Sequence, residues 1–292
     1  MPFSEVRQRN RYLAQLRRAI GGRNVVLTGA SSGIGRAFAL QAGEAGAKLA
    51  LVARSQEGLT RVREELEALG VPALAFSADL GDRGQVTKLV AELQLRLGSV
   101  DALINNAALS LRRPVDQSLD RVDDFARLVE VNYLGPVALT LGLLRAMLER
   151  NRGQIVNVST IGVQTGAPNF AAYVASKAAM DHFARALVLE LGRRCISVTT
   201  VYMPLVRTPM LDPSHIYDAW PALAADQAAR RIGRALIRGP VRVAPRWTSA
   251  VELLHTLAPG LMRGAFALVH DPVHRWMDKL RPAHRGRQQP PD

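Results

Sequence analysis

The feature that most constrains this chain is the alternation of short apolar runs with helical patterns from residue 23 to residue 203. The apolar runs are rich in valine and too short for typical helices, which indicates strands buried on both faces of a sheet. We predict strands at 23–30, 48–54, 72–80, 100–108, 153–160 and 196–203, with 241–245 as a candidate seventh. Because helices separate these strands, the pattern predicts βαβ units and an α/β fold with a single, doubly wound parallel sheet flanked by helices.

The rest of the chain is arranged around that sheet. We expect one α/β domain over residues 22–245, including a lid at about 203–225. Residues 1–21 are expected to form an N-terminal helical extension, and residues 246–280 a helical C-terminal extension. The last residues, 281–292, are basic and rich in proline and glutamine, which is typical of a disordered tail.

Composition narrows the class of protein. Hydrophobic residues make up 48% of the chain, enough for a sizeable core. The single cysteine, Cys195, cannot form an internal disulfide, and its isolation fits a reducing, cytoplasmic location. Cys195 precedes the sixth strand, where we expect it to be buried away from any active site. The N-terminus lacks the apolar core of a signal peptide, and no apolar run is long enough to predict a transmembrane helix.

The chain is strongly basic, with a formal net charge of +13. A basic surface attracts anions such as nucleic acid, anionic lipid or a phosphate-rich substrate. The arginines are scattered and follow no known nucleic-acid-binding motif, so we predict no nucleic-acid partner. The histidines are too widely spaced for a metal site, and we predict no metal.

A glycine-rich turn, TGASSGIG at 28–35, ends the first strand and opens the first helix of a βαβ unit. Glycines in such a turn let the backbone approach a pyrophosphate, which the N–H groups of the helix N-terminus then bind. The sequence therefore predicts a dinucleotide site and a Rossmann-type sheet. The second strand ends in Arg54 with no acidic residue, which favours the 2′-phosphate of NADP(H) over NAD; Ser31, Ser55 and Arg36 are further candidates for that phosphate.

The sequence AAYVASKAAM at 171–180 places Tyr173 and Lys177 one helical turn apart among small residues. Residues four apart share one face of a helix, and a nearby ammonium lowers the pKa of a phenol. The pair therefore indicates a proton donor and the group that tunes it, although a surface tyrosine beside a surface lysine is the alternative from these residues alone.

Taken together, TGASSGIG, NNAA at 105–108, Asn132 and YVASK at 173–177 resemble the short-chain dehydrogenase/reductase family in order and spacing. The resemblance covers about residues 22–210. It implies that Tyr173 gives a proton to the substrate oxygen, that Lys177 holds the nicotinamide ribose, and that Asn132 positions a water. The cofactor residues that it implies, together with the glycine turn, are Thr28, Gly29, Ser31, Ser32, Gly33, Ile34, Gly35, Arg54, Ser55, Asp79, Leu80, Asn106, Ala107, Tyr173, Lys177, Pro204, Val206 and Thr208.

The family also uses a hydroxyl after the fifth strand to orient the substrate carbonyl. Its spacing from Tyr173 falls on Thr160, with Ser159 as the alternate. Two positions depart from the usual family pattern. Ala108 and Leu205 each stand where glycine is common, and Leu205 leaves the conformation of the turn beside the nicotinamide open.

The substrate prediction rests on a closer resemblance. The segments VSTIGV, AAYVASKAAMD and YMPLVRTPM, followed by HIY, are similar to bacterial long-chain fatty acyl-CoA reductases. That resemblance implies NADPH-dependent reduction of an acyl thioester to an aldehyde, with Arg112, Arg113 or Arg207 near the CoA. Lid residues from Met203 to Leu211 either cover the acyl chain or pack in the core. A reductase of ketones, 3-oxoacyl groups or aldehydes is the alternative, and a non-catalytic NADPH sensor is a third.

Two surfaces are candidates for larger partners. The apolar C-terminal segment, with Arg263, His270, His274, Arg275 and Trp276, either contacts a membrane peripherally or packs on the protein itself. Family resemblance implies a homodimer or homotetramer through the helices at 122–150 and 170–192.

Overall fold

The computed structural model describes residues 3–210, 220–261 and 264. Its centre is a sheet of seven parallel strands, which are, in spatial order, β3 (Ala73–Ser77), β2 (Lys48–Ala53), β1 (Asn24–Thr28), β4 (Ala102–Asn105), β5 (Gly153–Thr160), β6 (Ile196–Met203) and β9 (Arg242–Val243). The order reverses between β1 and β4, which is the switch point where ligands bind in doubly wound sheets. The predicted fold class is therefore confirmed.

The strands lie close to the predicted runs and are β1 (Asn24–Thr28), β2 (Lys48–Ala53), β3 (Ala73–Ser77), β4 (Ala102–Asn105), β5 (Gly153–Thr160), β6 (Ile196–Met203), β7 (Val206–Arg207), β8 (Leu223–Ala224) and β9 (Arg242–Val243). The helices are α1 (Phe3–Ile20), α2 (Gly33–Glu44), α3 (Gln56–Ala68), α4 (Arg83–Leu97), α5 (Val122–Val129), α6 (Gly135–Glu149), α7 (Gly162–Thr165), α8 (Ala171–Glu190), α9 (Ala225–Arg238) and α10 (Arg246–Leu257).

Local sequence explains where several helices begin. The side chain of Ser55 caps α3 by accepting a hydrogen bond from Gly58 N at 3.1 Å, and Asp82 caps α4 through Gln85 N at 3.0 Å. Such caps satisfy the backbone N–H groups that a helix N-terminus leaves unpaired. The helix α9 ends at Gly239, whose left-handed conformation suits glycine.

Helices cover both faces of the sheet and bury one core on each. One core joins the sheet to α1, α2, α3 and α9, and the other joins it to α4, α6 and α8. The helix α1 belongs to the first core, because Leu16 and Ile20 are fully buried and the Tyr12 hydroxyl donates to Gln41 Oε1 at 2.7 Å. The N-terminal helix therefore packs as part of the domain.

A π-helical turn, Glu130–Leu134, joins α5 to α6 where the sequence predicted one continuous helix. The combined segment Val122–Glu149 is long and apolar enough to cross a membrane by length and composition alone. However, 44% of its most apolar stretch is buried, and α6 packs on α4 and β5. Core helices pass the same test, so the segment is weak evidence for a membrane span.

The segment predicted as a lid, 203–225, begins and ends beside a small two-stranded sheet. The strand β7 pairs in parallel with β8, and Leu223 N donates to Leu205 O at 2.9 Å, so Leu205 takes part in closing the base of the lid. Met203 and Val206 are buried in the core, whereas Met210 is exposed. Leu211 and the HIY segment lie outside the described residues, as do residues 265–292 with the C-terminal tail.

One prediction about the sheet edge was wrong. Cys195, expected to be buried, is exposed. It lies immediately before β6, at the edge where the parallel strands begin, because the chain turns there between α8 and β6. The thiol is therefore far along the strand from the carboxyl end of the sheet, where the candidate site lies.

Candidate active site

The predicted site residues meet at the carboxyl ends of β1, β4 and β5. The Thr28 hydroxyl accepts hydrogen bonds from Asn106 N and Ala107 N, both at 3.0 Å. The Asn106 side chain in turn donates to Thr28 O at 3.0 Å and Gly29 O at 3.2 Å. These bonds join the ends of the first and fourth strands, so the side chains of Thr28 and Asn106 hold this edge of the sheet together.

The glycine turn forms a close-fitting cradle over those strand ends. Gly29 has φ +66°, and a Cβ there would lie 2.8 Å from Ala107 Cα. A Cβ on Gly35 would lie 2.0 Å from Gly29 O, so only glycine lets the helix α2 start this close to the strand. A Cβ on Gly33, whose φ is +54°, would lie 3.0 Å from Thr208 Cγ2. The predicted lid residue Thr208 therefore packs directly beside the cradle.

The start of α2 has the properties that a pyrophosphate requires. Its N-cap residue Ser32 is exposed and makes no side-chain cap hydrogen bond, and the first turn, which includes Ile34, contains no acidic residue. The first N–H groups of the helix are thus left without a side-chain cap, at the positive end of the helix dipole. The residues present therefore fit a dinucleotide cofactor.

A second helix N-terminus lies beside the first, at the end of β2. A Cβ on Gly58, in the first turn of α3, would lie 2.7 Å from Ser31 Cβ and 3.3 Å from Ser55 Oγ. Arg54 and Ser55 are both exposed. The structure thus brings Ser31, Ser55 and the start of α3 together, next to Arg54 in the chain.

The contacts of Arg36 do not favour its expected place at the 2′-phosphate. Its guanidinium makes two hydrogen bonds to Glu65, at 2.9 and 2.5 Å, and these bonds raise its pKa. A bidentate carboxylate occupies the donors that a phosphate would need. Arg36 therefore stabilises the packing of α2 on α3.

The remaining cofactor candidates line the same edge. Asp79 Oδ1 accepts from Gly81 N at 2.9 Å, which fixes the turn after β3. Leu80 is buried, and its carbonyl lies against Gly135, where a Cβ would come within 1.9 Å. Pro204 follows β6 directly and is half-buried.

Tyr173 and Lys177 lie in α8, which packs on β5 and β6. Lys177 is 4% exposed, and its ammonium donates to Val158 O at 3.0 Å. Burial lowers the pKa of Lys177 to about 8 and raises the pKa of Tyr173 to about 12. The expected lowering of the tyrosine pKa by the lysine is therefore not found, because desolvation dominates both groups.

The π-helical turn buries Asn132 and fixes its side chain. Its Oδ1 accepts from Leu109 N at 2.7 Å, and its Nδ2 donates to Leu109 O at 2.8 Å and to Ser176 Oγ at 2.9 Å. The Ser176 hydroxyl donates onward to Tyr173 O at 2.7 Å. Asn132 thus connects the loop after β4 to the helix with Tyr173. Ser176 was missed at the sequence level, where only its place between Tyr173 and Lys177 marked it.

The two candidate hydroxyls at the end of β5 have different surroundings. The Ser159 Oγ is buried and has no hydrogen-bond partner in the described part of the chain. Thr160 is half-buried, and its Oγ1 accepts from Gly162 N at 3.2 Å. A hydroxyl that accepts a bond in this way keeps its own proton for a substrate oxygen.

A network of charged side chains lies next to the site, and no sequence motif predicted it. Glu252 on α10 accepts hydrogen bonds from Gln164 Nε2 at 3.1 Å, Arg185 at 3.1 Å and Arg242 at 2.6 Å. Arg185 also pairs with the buried Asp181, which accepts a hydrogen bond from the Tyr202 hydroxyl. The network ties α7, α8, β6, β9 and α10 together.

Among the arginines expected near CoA, Arg113 forms an ion pair with Asp124. This pair holds the loop after β4 against α5. Arg112 is half-buried and Arg207 is exposed. The charge of Arg113 is therefore already balanced by a carboxylate.

Comparison with known proteins agrees with this geometry. The model of the short chain dehydrogenase family matches residues 23–216. A fatty acyl-CoA reductase of Acinetobacter baylyi is 43% identical over 248 residues, covering 85% of this chain and 84% of that protein. A fatty acyl-CoA reductase of Mycobacterium tuberculosis is 42% identical over 239 residues, covering 82% of this chain and 81% of that protein.

Solved structures show the same architecture. Levodione reductase superposes with a TM-score of 0.70 and 26% identity, covering 79% of this chain and 99% of its own. A variant of actinorhodin polyketide ketoreductase, solved with NADPH, also gives a TM-score of 0.70, with 29% identity over 76% of this chain and 94% of its own.

Proposed function

Because the chain belongs to the short-chain dehydrogenase family and is an oxidoreductase, we propose that it reduces a long-chain fatty acyl-CoA thioester to the aldehyde with NADPH. The observation that carries this proposal is the similarity to two fatty acyl-CoA reductases over more than four fifths of the chain. The clustering of Tyr173, Lys177, Asn132 and Thr160 at one sheet edge supports it.

The proposed chemistry assigns one task to each of these side chains. The reduced nicotinamide, when bound, supplies a hydride to the carbonyl carbon. Thr160 donates a hydrogen bond that orients the carbonyl, and Tyr173, with its pKa at about 12, remains protonated at neutral pH and gives its proton to the oxygen. Lys177 lies one helical turn from Tyr173, and its positive charge would stabilise the tyrosinate that forms.

Hydride and proton addition would convert the thioester into a hemithioacetal, whose carbon–sulfur bond then breaks to give the aldehyde and free CoA. No acyl-enzyme is needed, since the hydride goes directly to the thioester carbon. The position of Cys195 is consistent with this route, because the residue lies before β6 and not at the carboxyl edge of the sheet. Asn132 would act as a positioning residue through its bonds to Leu109 and Ser176.

Family members bind NAD or NADP, and we propose a preference for NADPH. Arg54 is exposed at the end of β2, and Ser31 and Ser55 lie beside the N-terminus of α3. A 2′-phosphate there would meet a guanidinium, two hydroxyls and the positive end of a helix. The nearest acidic side chain in sequence, Glu57, pairs with Arg61 at 2.9 Å, which reduces its repulsion of a phosphate.

A ketone, 3-oxoacyl or aldehyde reductase is the second candidate. A 3-dehydrosphinganine reductase of Danio rerio is 37% identical over 195 residues, covering 65% of this chain and 58% of that protein, and the ketoreductase neighbour has the same fold. The proposed catalytic residues would serve a ketone as well as a thioester, because both reactions add a hydride and a proton to a carbonyl group.

A substrate panel tests the choice between them. Turnover of NADPH would be measured with a long-chain acyl-CoA, a long-chain aldehyde and a 3-oxoacyl thioester, at equal concentrations. We expect the acyl-CoA to give the highest kcat/KM. A clear preference for the aldehyde or the 3-oxo group would contradict the acyl-CoA assignment while keeping the catalytic residues.

We also propose that the protein is a cytoplasmic homodimer or homotetramer with peripheral membrane contact. Exposed leucines on the two helices expected at the interface support the oligomer: Leu141 on α6 is 53% exposed and Leu189 on α8 is 83% exposed. The net charge of +13 supports contact with anionic surfaces.

A further inference from the structure

The outward face of α10 is an unusually apolar surface. Trp247, Leu253 and Leu257 are 55%, 59% and 73% exposed. Together with Ala250 and Leu254 they recur at spacings of three and four residues, so all five lie on one face of the helix. We call these five residues the outer stripe. Leu261, just beyond α10, is also exposed and extends the apolar sequence.

The opposite face of α10 is fixed to the domain. Thr248 is fully buried, and Glu252 accepts hydrogen bonds from three side chains, on α7, α8 and β9. Burial opposes ionisation of Glu252, but the hydrogen bonds from Arg242, Gln164 and Arg185 hold its pKa at about 2. The helix is thus locked in its rotation, and the outer stripe cannot turn inward without breaking this network.

The charges around the outer stripe indicate what it contacts. Glu252 is the one acidic residue of α10, and it lies on the fixed face. Arg246 precedes Trp247 at the exposed start of the helix, and the chain as a whole carries +13. Leucine side chains beside arginine and tryptophan suit the boundary between lipid headgroups and acyl chains. We propose that the outer stripe docks the protein onto the surface of an anionic lipid bilayer.

A second copy of the chain suits this face less well. A twofold contact between two outer stripes would bring equivalent arginines of two strongly basic molecules toward each other. An anionic bilayer instead attracts the same charges, by about 1 kcal/mol for each basic residue near its surface.

Docking through α10 would also place the active site close to the bilayer. The helix packs on α7, which begins two residues after Thr160. Under the proposed function, the acyl chain of the substrate would reach the site from the lipid phase. The docking itself does not depend on that substrate. It can therefore be measured in the absence of both substrate and cofactor.

The test is co-sedimentation of the full chain with phosphatidylcholine vesicles, with and without an equal share of phosphatidylglycerol. The variant is Leu253→Glu with Leu257→Glu. The matched control is Leu69→Glu with Leu95→Glu; Leu69 directly follows α3 and Leu95 lies on α4, and the two leucines are 54% and 83% exposed. Both pairs add the same negative charge, so a difference between them reports on position.

We expect the wild-type protein to bind the anionic vesicles more strongly than the neutral ones. The α10 variant should lose at least about tenfold in partitioning, while the control stays close to the wild type. Equal binding by the two variants, or no binding by the wild type, would overturn the proposal.

Two further measurements would show whether something other than a membrane covers the outer stripe. A lower molecular mass for the α10 variant in light scattering would mean that a second copy covers the stripe, and would overturn membrane docking. A lower melting temperature without wild-type vesicle binding would mean that the chain's own C-terminal segment covers it, with the same consequence. A circular dichroism spectrum that matches the wild type would show that the variant is folded.

Discussion

At the scale of single residues, burial determines the acid–base behaviour of the site. Lys177 and Tyr173 are recognisable from sequence by their spacing, but the direction of their pKa shifts is not. The spacing suggests that the ammonium lowers the pKa of the phenol. The structure shows that desolvation raises the pKa of Tyr173 and lowers that of Lys177, because the packing of α8 on β5 removes both groups from water.

This burial predicts a pH-dependent stability difference between the wild type and Lys177→Met. The pKa of Lys177 falls from 10.5 to about 8 on folding, so between these values the unfolded chain binds more protons than the folded one. Wild-type stability should therefore rise relative to the variant as pH increases from 8 to 10.5, by about 3 kcal/mol in total. Urea unfolding at several pH values measures this difference, and a flat difference would contradict burial of the charged group.

Arg54 gives a second prediction at this scale. Arg54→Asp should raise the KM for NADPH by about 10- to 100-fold, because a charge-assisted hydrogen bond to the 2′-phosphate contributes about 1.5–3 kcal/mol. The KM for NADH should fall or stay unchanged. Arg96→Asp is the control, since Arg96 is exposed in the last turn of α4 and the chain runs from there into the start of β4, away from the carboxyl ends of the strands. Equal effects of Arg54→Asp on both cofactors would argue against a 2′-phosphate contact.

At the scale of elements, sequence pattern locates strands well and irregular helix turns poorly. The ranges predicted for β5 and β6 coincide with the observed strands, because valine-rich runs flanked by loops have few other ways to be buried. The π-helical turn at Glu130–Leu134 has no such signal. It arises because Asn132 forms three hydrogen bonds with Leu109 and Ser176, which are distant in sequence.

The glycine cradle gives a prediction about element packing. Gly35→Ala would place a Cβ 2.0 Å from Gly29 O, so α2 would have to move away from β1. We expect a loss of about 3 kcal/mol or more in unfolding free energy and weaker binding of the dinucleotide. The control Gly46→Ala has open space around the new Cβ but φ +80°, and should lose only about 1–2 kcal/mol of backbone strain. Thermal unfolding compares the two, and similar losses would contradict the close approach of helix and strand.

At the scale of the whole molecule, strand–helix alternation was sufficient to predict the doubly wound sheet and the edge where the site lies. It could not predict that α1 completes one core through Leu16 and Ile20, or that Glu252 connects α10 to α8. Both features are contacts between segments far apart in the chain, made by side chains that belong to no motif. The substrate is likewise inferred from overall similarity, because the proposed catalytic groups are common to ketone and thioester reduction.

The most direct test of the thioester assignment is the stoichiometry of CoA release. Purified protein would be given NADPH and a long-chain acyl-CoA, with NADPH loss, free thiol and aldehyde quantified in the same reaction, for the wild type and for Tyr173→Phe. We expect one CoA and one aldehyde for each NADPH oxidised, and a large loss of both products in Tyr173→Phe. Oxidation of NADPH without CoA release would contradict reduction of the thioester and favour a ketone or aldehyde substrate.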